Sequence, residues 1–455
     1  MQGNIVLLFD RYSSDSRDLH ESFKRAGYDL PVVVIGEDGF LPDDVISVYG
    51  SFLGNYKEAE GAAGRPLYFN EVPVPDQWET GGIGKDGKIH HLQEEKGRIL
   101  FAKHSHKGFV KTVEWFDRRG IVRSRDHYNR YGVVYARTVC SSAGQEINRT
   151  WFSVTGQEVI VENCITGNII LNRADGIVKC FRSSLEFVLY FMRESGYGTR
   201  RIFFNALSTP FFTAQRFSAP GKEDRLFWQE PVGEEVPWNM RLLLQGWSGG
   251  RVQIMAQKRQ AYDRLAALGV PGDRMHRLGY IYAFQKENRY RPEAFICTSS
   301  DQLTQCEELI KGLPQMHFHI AALTMMSPRL MSMGVYENVS LYPLVWIEEI
   351  AEFFEKCDFY LDINHGAEVL SSVRQAFLHN NLIFAFEETA HNRDLVAAEH
   401  IYAAGDVMKM IADLWEIMAD KTVLDRHLQA QREAAGCETA ESYRRLVESC
   451  ADAHA

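Results

Sequence analysis

INHGAEVLSSVRQAFLHNNLIFAFEET, Ile363 to Thr389, passes from a strand end through a glycine turn into a helix and out into a second strand. That succession is the repeating unit of a parallel sheet covered by helices on both faces. The same rhythm extends in both directions. Upstream lie the apolar runs AFICTSSD, QMHFHIAALT, VSLYP and FYLDI, with helical segments between most of them, and downstream lies HIYAAGD followed by helices. A complete α/β domain is therefore expected over residues 281–455.

The N-terminal part reads similarly but is interrupted. IVLLF is a strand, DSRDLHESFKRAGY a helix with Gly27 near its end, and PVVVIGEDG a second strand, so residues 1–60 open a first Rossmann-like domain. DRYSSDS stands where a GxGxxG turn would carry a dinucleotide, so no dinucleotide site is predicted. From residue 61 to 182 the texture changes to short β-rich runs: LYFNEV, FVKTVEWF, YGVVYARTVC, RTWFSV, QEVIVEN, NIILN and IVKCF. Turns at KDGK, DRRG, SSAGQ, VTGQ and ADG separate them, and Gly144, Gly156, Gly167 and Gly176 recur at meander spacing. The α/β rhythm resumes over 183–280, with SSLEFVLYFMRESGY a helix, RIFFNAL, MRLLLQG and VQIMAQ strands, and KRQAYDRLAALG a helix ending on Gly269. RLGYIYAFQKENRYR reads as the crossover to the last domain. The expected fold class is α/β and GT-B-like: two Rossmann-like domains facing a cleft, with an antiparallel β-meander inserted in the first.

Bulk properties fit this division. A chain of 455 residues exceeds what one core supports, and 45% hydrophobic with 12% aromatic residues can bury several. A formal net charge of -10 argues against general nucleic-acid or anionic-membrane binding. The N-terminus lacks a cationic lead-in to a hydrophobic stretch, and no apolar window approaches a membrane span, so a cytoplasmic location is expected, with peripheral membrane attachment through a partner left open. Eight scattered cysteines, without CxxC spacing, suggest neither a zinc motif nor a disulfide framework. Residues 85–140 carry thirteen Lys or Arg against six acidic residues, including Lys85, Lys103, Lys107, Arg123, Arg125 and Arg130. This stretch can be a solvated sheet face or a docking surface.

Retaining GT-B glycosyltransferases place an acid beside a glycine in the turn and a second acid about eight residues later, where it holds the donor ribose. Aligning LIFAFE with the strand that follows in those enzymes puts His365-Gly366 at the first position and Gln375 at the second. A histidine supplies no negative charge opposite an oxocarbenium ion, and a glutamine hydrogen-bonds without charge. Glu368, Glu387 and Glu388 are the nearby acids that could substitute, the last two at a strand end where ligands of open α/β sheets gather. They are read either as lining a retained sugar or peptide cleft or as solvated helix-start and strand-end acids. No catalytic residue, cofactor or metal is assigned.

Weaker candidates are set beside these. His317 and His319 share a strand face without a third ligand at metal spacing; HH at 90–91 and HSH at 104–106 read as hairpin residues. Asp362 and Asn364 read as turn residues or ligands, and QGWSGG, Gln245 to Gly250, as a loop rather than a phosphate cradle.

Several longer blocks carry a resemblance. GFLPDDVISVYGSFLG, PLYFNEVPVPDQWE, SRDHYNRYGVVYART, FFNALSTPFF, YLDINHGAEV and FAFEETAHN resemble the GtfB family, the glycosyltransferase-stabilising subunits of the accessory Sec system. The resemblance spans nearly the whole chain. It implies a GT-B fold with an inserted meander and a complex with a GtfA-like catalytic subunit through the meanders. It also implies binding of a serine-rich repeat acceptor, including glycosylated forms, during protein O-GlcNAc transfer. The acceptor or GlcNAc site is expected to include His365, Glu368, Gln375, Glu387, Glu388, His391 and Asn392, and the partner surface Arg123, Arg125, His127, Tyr128 and Arg130. An active UDP-sugar transferase and a sugar-independent adhesin chaperone are the alternatives; nucleic-acid binding through the basic meander is the least supported.

Overall fold

The computed structural model describes residues 4–58, 62–82, 86–102, 108–246 and 252–448. Lys85, Lys103, Lys107, the HSH histidines His104 and His106, residues 247–250 of QGWSGG and Cys450 lie outside them. Two compact units are present, residues 1–255 with 270–274, and residues 256–269 with 275–455.

Strands β1 (Ile5–Phe9), β2 (Val32–Val34) and β3 (Val45–Ser47) begin the first sheet. Ten strands follow: β4 (Trp78–Gly81), β5 (Asp86–His91), β6 (Glu94–Phe101), β7 (Val110–Phe116), β8 (Val122–Tyr128), β9 (Val134–Cys140), β10 (Glu146–Phe152), β11 (Glu158–Asn163), β12 (Ile169–Asn172) and β13 (Val178–Phe181). The first sheet then resumes with β14 (Arg201–Phe204), β15 (Arg225–Trp228), β16 (Gln253–Ala256) and β17 (Met275–Arg277). Its order is β17-β16-β15-β14-β1-β2-β3, with β1 between β2 and β14 in parallel register. All five β1 side chains are buried, as a central parallel strand requires.

The inserted sheet is a pure meander in which each strand pairs with its chain neighbours, β4 to β13 in order. Four successive turns share one design at an interval of twelve residues. Asp117, Asn129, Ser141 and Ser153 each accept, through the side chain, the backbone N–H groups two and four residues on. Gly120, Gly132, Gly144 and Gly156 then take the left-handed conformation at φ 77° to 82°. This is a type I turn closed by a glycine bulge, and a side chain of another residue there would be strained. Alternate turns fall at opposite ends of the sheet. The Asn129 and Ser153 turns meet the first α/β sheet's loops, with Arg130 N–H bonded to Gly39 O and Val154 N–H to Leu53 O.

The second unit contains β18 (Glu293–Thr298), β19 (His317–Ala322), β20 (Val339–Tyr342), β21 (Phe359–Asp362), β22 (Leu382–Phe386) and β23 (Ile401–Tyr402). Their order is β20-β19-β18-β21-β22-β23, all parallel. Alternate residues feed two cores. Ala294, Ile296, Leu361 and Phe384 face one, Phe295, Cys297, Tyr360 and Ile383 the other. The crossover segment is tied to this unit by charge: Lys286 and Arg291 both reach Asp358, which is fully buried, at 2.9 Å.

Three local expectations are corrected. MRLLLQG is not a strand; it lies in the helix Trp238–Gln245, whose buried Met240 and Leu243 are one helical turn apart. The sheet position belongs instead to RLFW of β15, where Arg225 is buried with its guanidinium 5.8 Å from the Phe203 ring centre. In LYFNEV, Phe69–Glu71 forms a short 3-10 turn, because the Glu71 carboxylate accepts from Tyr68 N–H at 2.8 Å and pairs with Arg65. In KDGK, Asp86 to Lys88 belong to β5, with Gly87 paired to Ile99 and roofed by Phe101.

Candidate functional site

The Ile363 to Thr389 stretch brings together the carboxyl ends of β18, β21 and β22 within the second unit, where open parallel sheets bind ligands. The strands deliver Thr298, Asp362 and Asn364, and the loop after β22 delivers Thr389 and His391; the first four are buried. Thr298 donates to Asn364 Oδ1 at 2.9 Å, Gly366 N–H donates to the same oxygen at 3.0 Å, and Thr389 donates to the Asp362 carbonyl at 2.8 Å. Polar groups that would be costly to bury alone satisfy one another here.

At the centre, His391 donates from Nδ1 to Asp362 Oδ1 at 2.6 Å and from Nε2 to the Gly366 carbonyl at 2.8 Å. Its backbone N–H reaches the other Asp362 oxygen at 2.8 Å. Two acceptors on one imidazole require both ring nitrogens to carry protons. The hydrogen bond to Asp362 accordingly lifts the His391 pKa to about 9 against the opposing effect of burial. A fixed positive charge therefore sits under the His365-Gly366 turn. Gly366 also packs closely: a Cβ there would stand 2.3 Å from Ser299 Oγ, so that hydroxyl would have to swing away from the Ala367 carbonyl it bonds.

The other site candidates are placed as follows. His365 is exposed, with Nε2 2.7 Å from Thr304 Oγ1. Glu368 turns back on the helix Ser372–Leu378 and accepts from Val373 N–H at 3.0 Å; burial raises its pKa. Gln375 is half-buried in that helix, and its carbonyl accepts from His379. Glu387 and Glu388 are exposed just beyond β22, and Asn392 is half-buried beside His391. The structure thus brings His365, Glu368 and His391 around one turn, with Glu387 and Glu388 on the outer face of the next loop. Asp362, which the sequence left as a turn residue or ligand, is the group that organises them; its signal was an acid at the end of an apolar strand.

The partner candidates lie on or beside β8. Arg125 bonds Glu114 and Glu146, each at 2.8 Å, across three strands. His127 lies between Thr112 and Thr138, with burial lowering its pKa to about 4, and Tyr128 is buried. Arg130 reaches the Leu41 carbonyl and Asp43. Arg123 has one long contact, 4.0 Å to Asp117, and a side chain 46% exposed. His317 bonds Ser340 and His319 bonds Glu293, Tyr342 lying 3.1 Å away, which accounts for both as packed sheet residues.

Four domain profiles match the chain in order: the GtfB N-terminal domain over residues 6–52, the GtfB middle domain over 78–182, the GtfB third domain over 184–268 and the GftB/GlyA-F C-terminal domain over 294–431. The UDP-N-acetylglucosamine–peptide N-acetylglucosaminyltransferase stabilizing protein GtfB of Streptococcus gordonii is 37% identical over 447 residues, covering 98% of both chains. The chain belongs to the GtfB family. The namesake protein of Streptococcus agalactiae is 38% identical, over 97% of this chain and 99% of its own. Among solved structures, a chain of the GtfA/B complex bound to UDP and GlcNAc superposes with a TM-score of 0.92 at 38% identity, over 98% of this chain and 99% of that one. The GtfB-family fold is GT-B-like, and the middle-domain match covers β4 to β13 of the meander.

Proposed function

We propose that this chain is the non-catalytic, stabilising and acceptor-binding subunit of a protein O-GlcNAc transferase. It works with a GtfA-like catalytic subunit on Ser and Thr of a serine-rich repeat adhesin, in the cytoplasm, before accessory Sec export. Family membership and the likeness to a chain of the GtfA/B complex support the partnership. Among the described residues, no helix is long and apolar enough to cross a membrane.

The observation that carries the non-catalytic reading is the charge at the Gly366 turn. Donor chemistry at this place needs a free carboxylate facing the sugar. Here the buried carboxylate, Asp362, has both oxygens bonded to His391, Glu368 turns one oxygen back to Val373 N–H, and the exposed Glu387 and Glu388 lie on the outer face of the next loop rather than in the Gly366 turn. A neutral or cationic polar shelf suits hydroxyl-rich ligands, whose hydrogen bonds it can exchange for those of water, and holding one part of a repetitive acceptor raises the local concentration of the rest. The meander is the proposed partner surface.

Transfer of GlcNAc from UDP-GlcNAc to a serine-rich peptide tests this, with the chain alone, a GtfA-like subunit alone and the two mixed. The expected result is no turnover by the chain alone and faster or more complete glycosylation in the mixture. Turnover by the isolated chain would establish an active transferase instead. Equal binding of acceptor before and after glycosylation would establish a sugar-independent chaperone.

A further inference from the structure

A second cluster of side chains in the same unit has no part in the proposed acceptor site. Glu399 and His400 lie in the 3-10 turn Ala398–His400 that leads into β23, and His427 lies on the helix Lys421–Ala434. His400 Nε2 is 2.8 Å from His427 Nδ1, Glu399 Oε1 is 3.2 Å from that same Nδ1, and 3.8 Å separates Glu399 Oε1 from His400 Nε2. His400 is fully buried and stacks on Phe384 at 4.6 Å between ring centres.

Hydrogen bonding alone serves this arrangement badly. Three Lewis-basic atoms converge, and the His400–His427 hydrogen bond places one proton between two of them. If His400 donates to His427, the Glu399 carboxylate faces the His427 lone pair; if His427 donates to either neighbour, the other is left facing a lone pair or a shared hydrogen. A divalent cation would satisfy all three at once. Tetrahedral zinc with N and O ligands at about 2.0–2.2 Å separates adjacent ligand atoms by roughly 3.4 Å, within the span of the three observed separations.

We infer that Glu399, His400 and His427 form a binding site for a zinc ion, held by two imidazoles and one carboxylate. The fourth position opens on the solvent side, where the Glu399 side chain is 57% and the His427 side chain 21% exposed. The ion would cross-link the turn before β23 to the helix Lys421–Ala434, a structural role within the second unit.

The test uses the full-length, tag-free chain carrying Cys180→Ser, so that the exposed thiol cannot contribute, stripped with a chelator and then titrated with zinc chloride or cobalt chloride. One equivalent of zinc retained after desalting, a rise in Tm of roughly 2–5 °C at saturating zinc, and the visible bands of four-coordinate cobalt are expected. Glu399→Gln, at an exposed position that does not threaten folding, should weaken zinc binding at least about tenfold, and His427→Ala should abolish it. Absence of retained zinc with an unchanged Tm overturns the inference, as does binding that both variants leave intact.

Discussion

His391, in the loop after β22, holds both oxygens of Asp362 at the end of β21, one through Nδ1 at 2.6 Å and one through its backbone N–H at 2.8 Å. A carboxylate so engaged fixes the charge of its partner. The His391 ring is predicted to titrate near pH 9 in a ring-nitrogen NMR titration. Because this folded-state pKa lies above that of the unfolded chain, the pair's stabilisation is complete below about pH 6.5 and is lost as pH rises through about 9. Asp362→Asn should return the His391 pKa to its ordinary value or below.

Gly366→Ala places a methyl group against Ser299 Oγ and near Asn364 Oδ1. Either the Ser299 hydroxyl gives up its bond to the Ala367 carbonyl or the turn shifts, and acceptor or GlcNAc-peptide affinity is expected to fall about tenfold while thermal unfolding changes little. Gly366→Ala combined with Ser299→Ala removes the colliding hydroxyl and should recover much of the lost affinity in the same binding assay.

Asp358→Asn tests the tie between the crossover segment and the second sheet. Burial opposes the charged form of Asp358, but hydrogen bonds from Arg291 and Lys286 outweigh it and the net pKa is lowered. Removing that charge leaves Lys286 buried without its counter-ion, so denaturant unfolding should show a loss of about 3–5 kcal/mol. In the unmutated chain this contribution is present above the unfolded carboxylate value and disappears as pH falls through the folded one.

Charge reversal distinguishes two arginines on β8. Arg123→Glu alters an exposed side chain with one long contact, so it should weaken co-purification with a GtfA-like subunit while leaving stability within about 0.5 kcal/mol. Arg125→Glu sets a third carboxylate against Glu114 and Glu146, and should lower the unfolding temperature whether or not the partner is present.

Much of the architecture was legible because its signals are local. Apolar runs of five or six residues marked β1, β18, β19 and β22, and glycine spacing marked the meander. Where reading failed, burial competed with short-range pattern. RLFW opens with an arginine and gives only three apolar residues in a row, too short a run to mark a strand, and MRLLLQG resembles a strand because its apolar run conceals the one-turn spacing of Met240 and Leu243. At the site, the turn, the helix and the missing acids were visible as letters. The Asp362 to His391 pair was not, since it depends on β21 and β22 lying side by side in parallel register. Likewise no sequence interval discloses that Glu368 folds back onto Val373.

The position of β1 between β2 and β14 sets an order of events during synthesis. Ile5 pairs with Arg201, so one edge of the first strand waits for a partner that the ribosome delivers roughly 10–40 s later at about 5–20 residues per second. The meander pairs each strand only with its neighbours in the chain, and hairpins form in microseconds. Throughout that interval the nascent chain carries a bare, wholly apolar strand edge beside a growing sheet that is already closing itself turn by turn. The inserted domain can be finished before the domain that hosts it can complete its sheet.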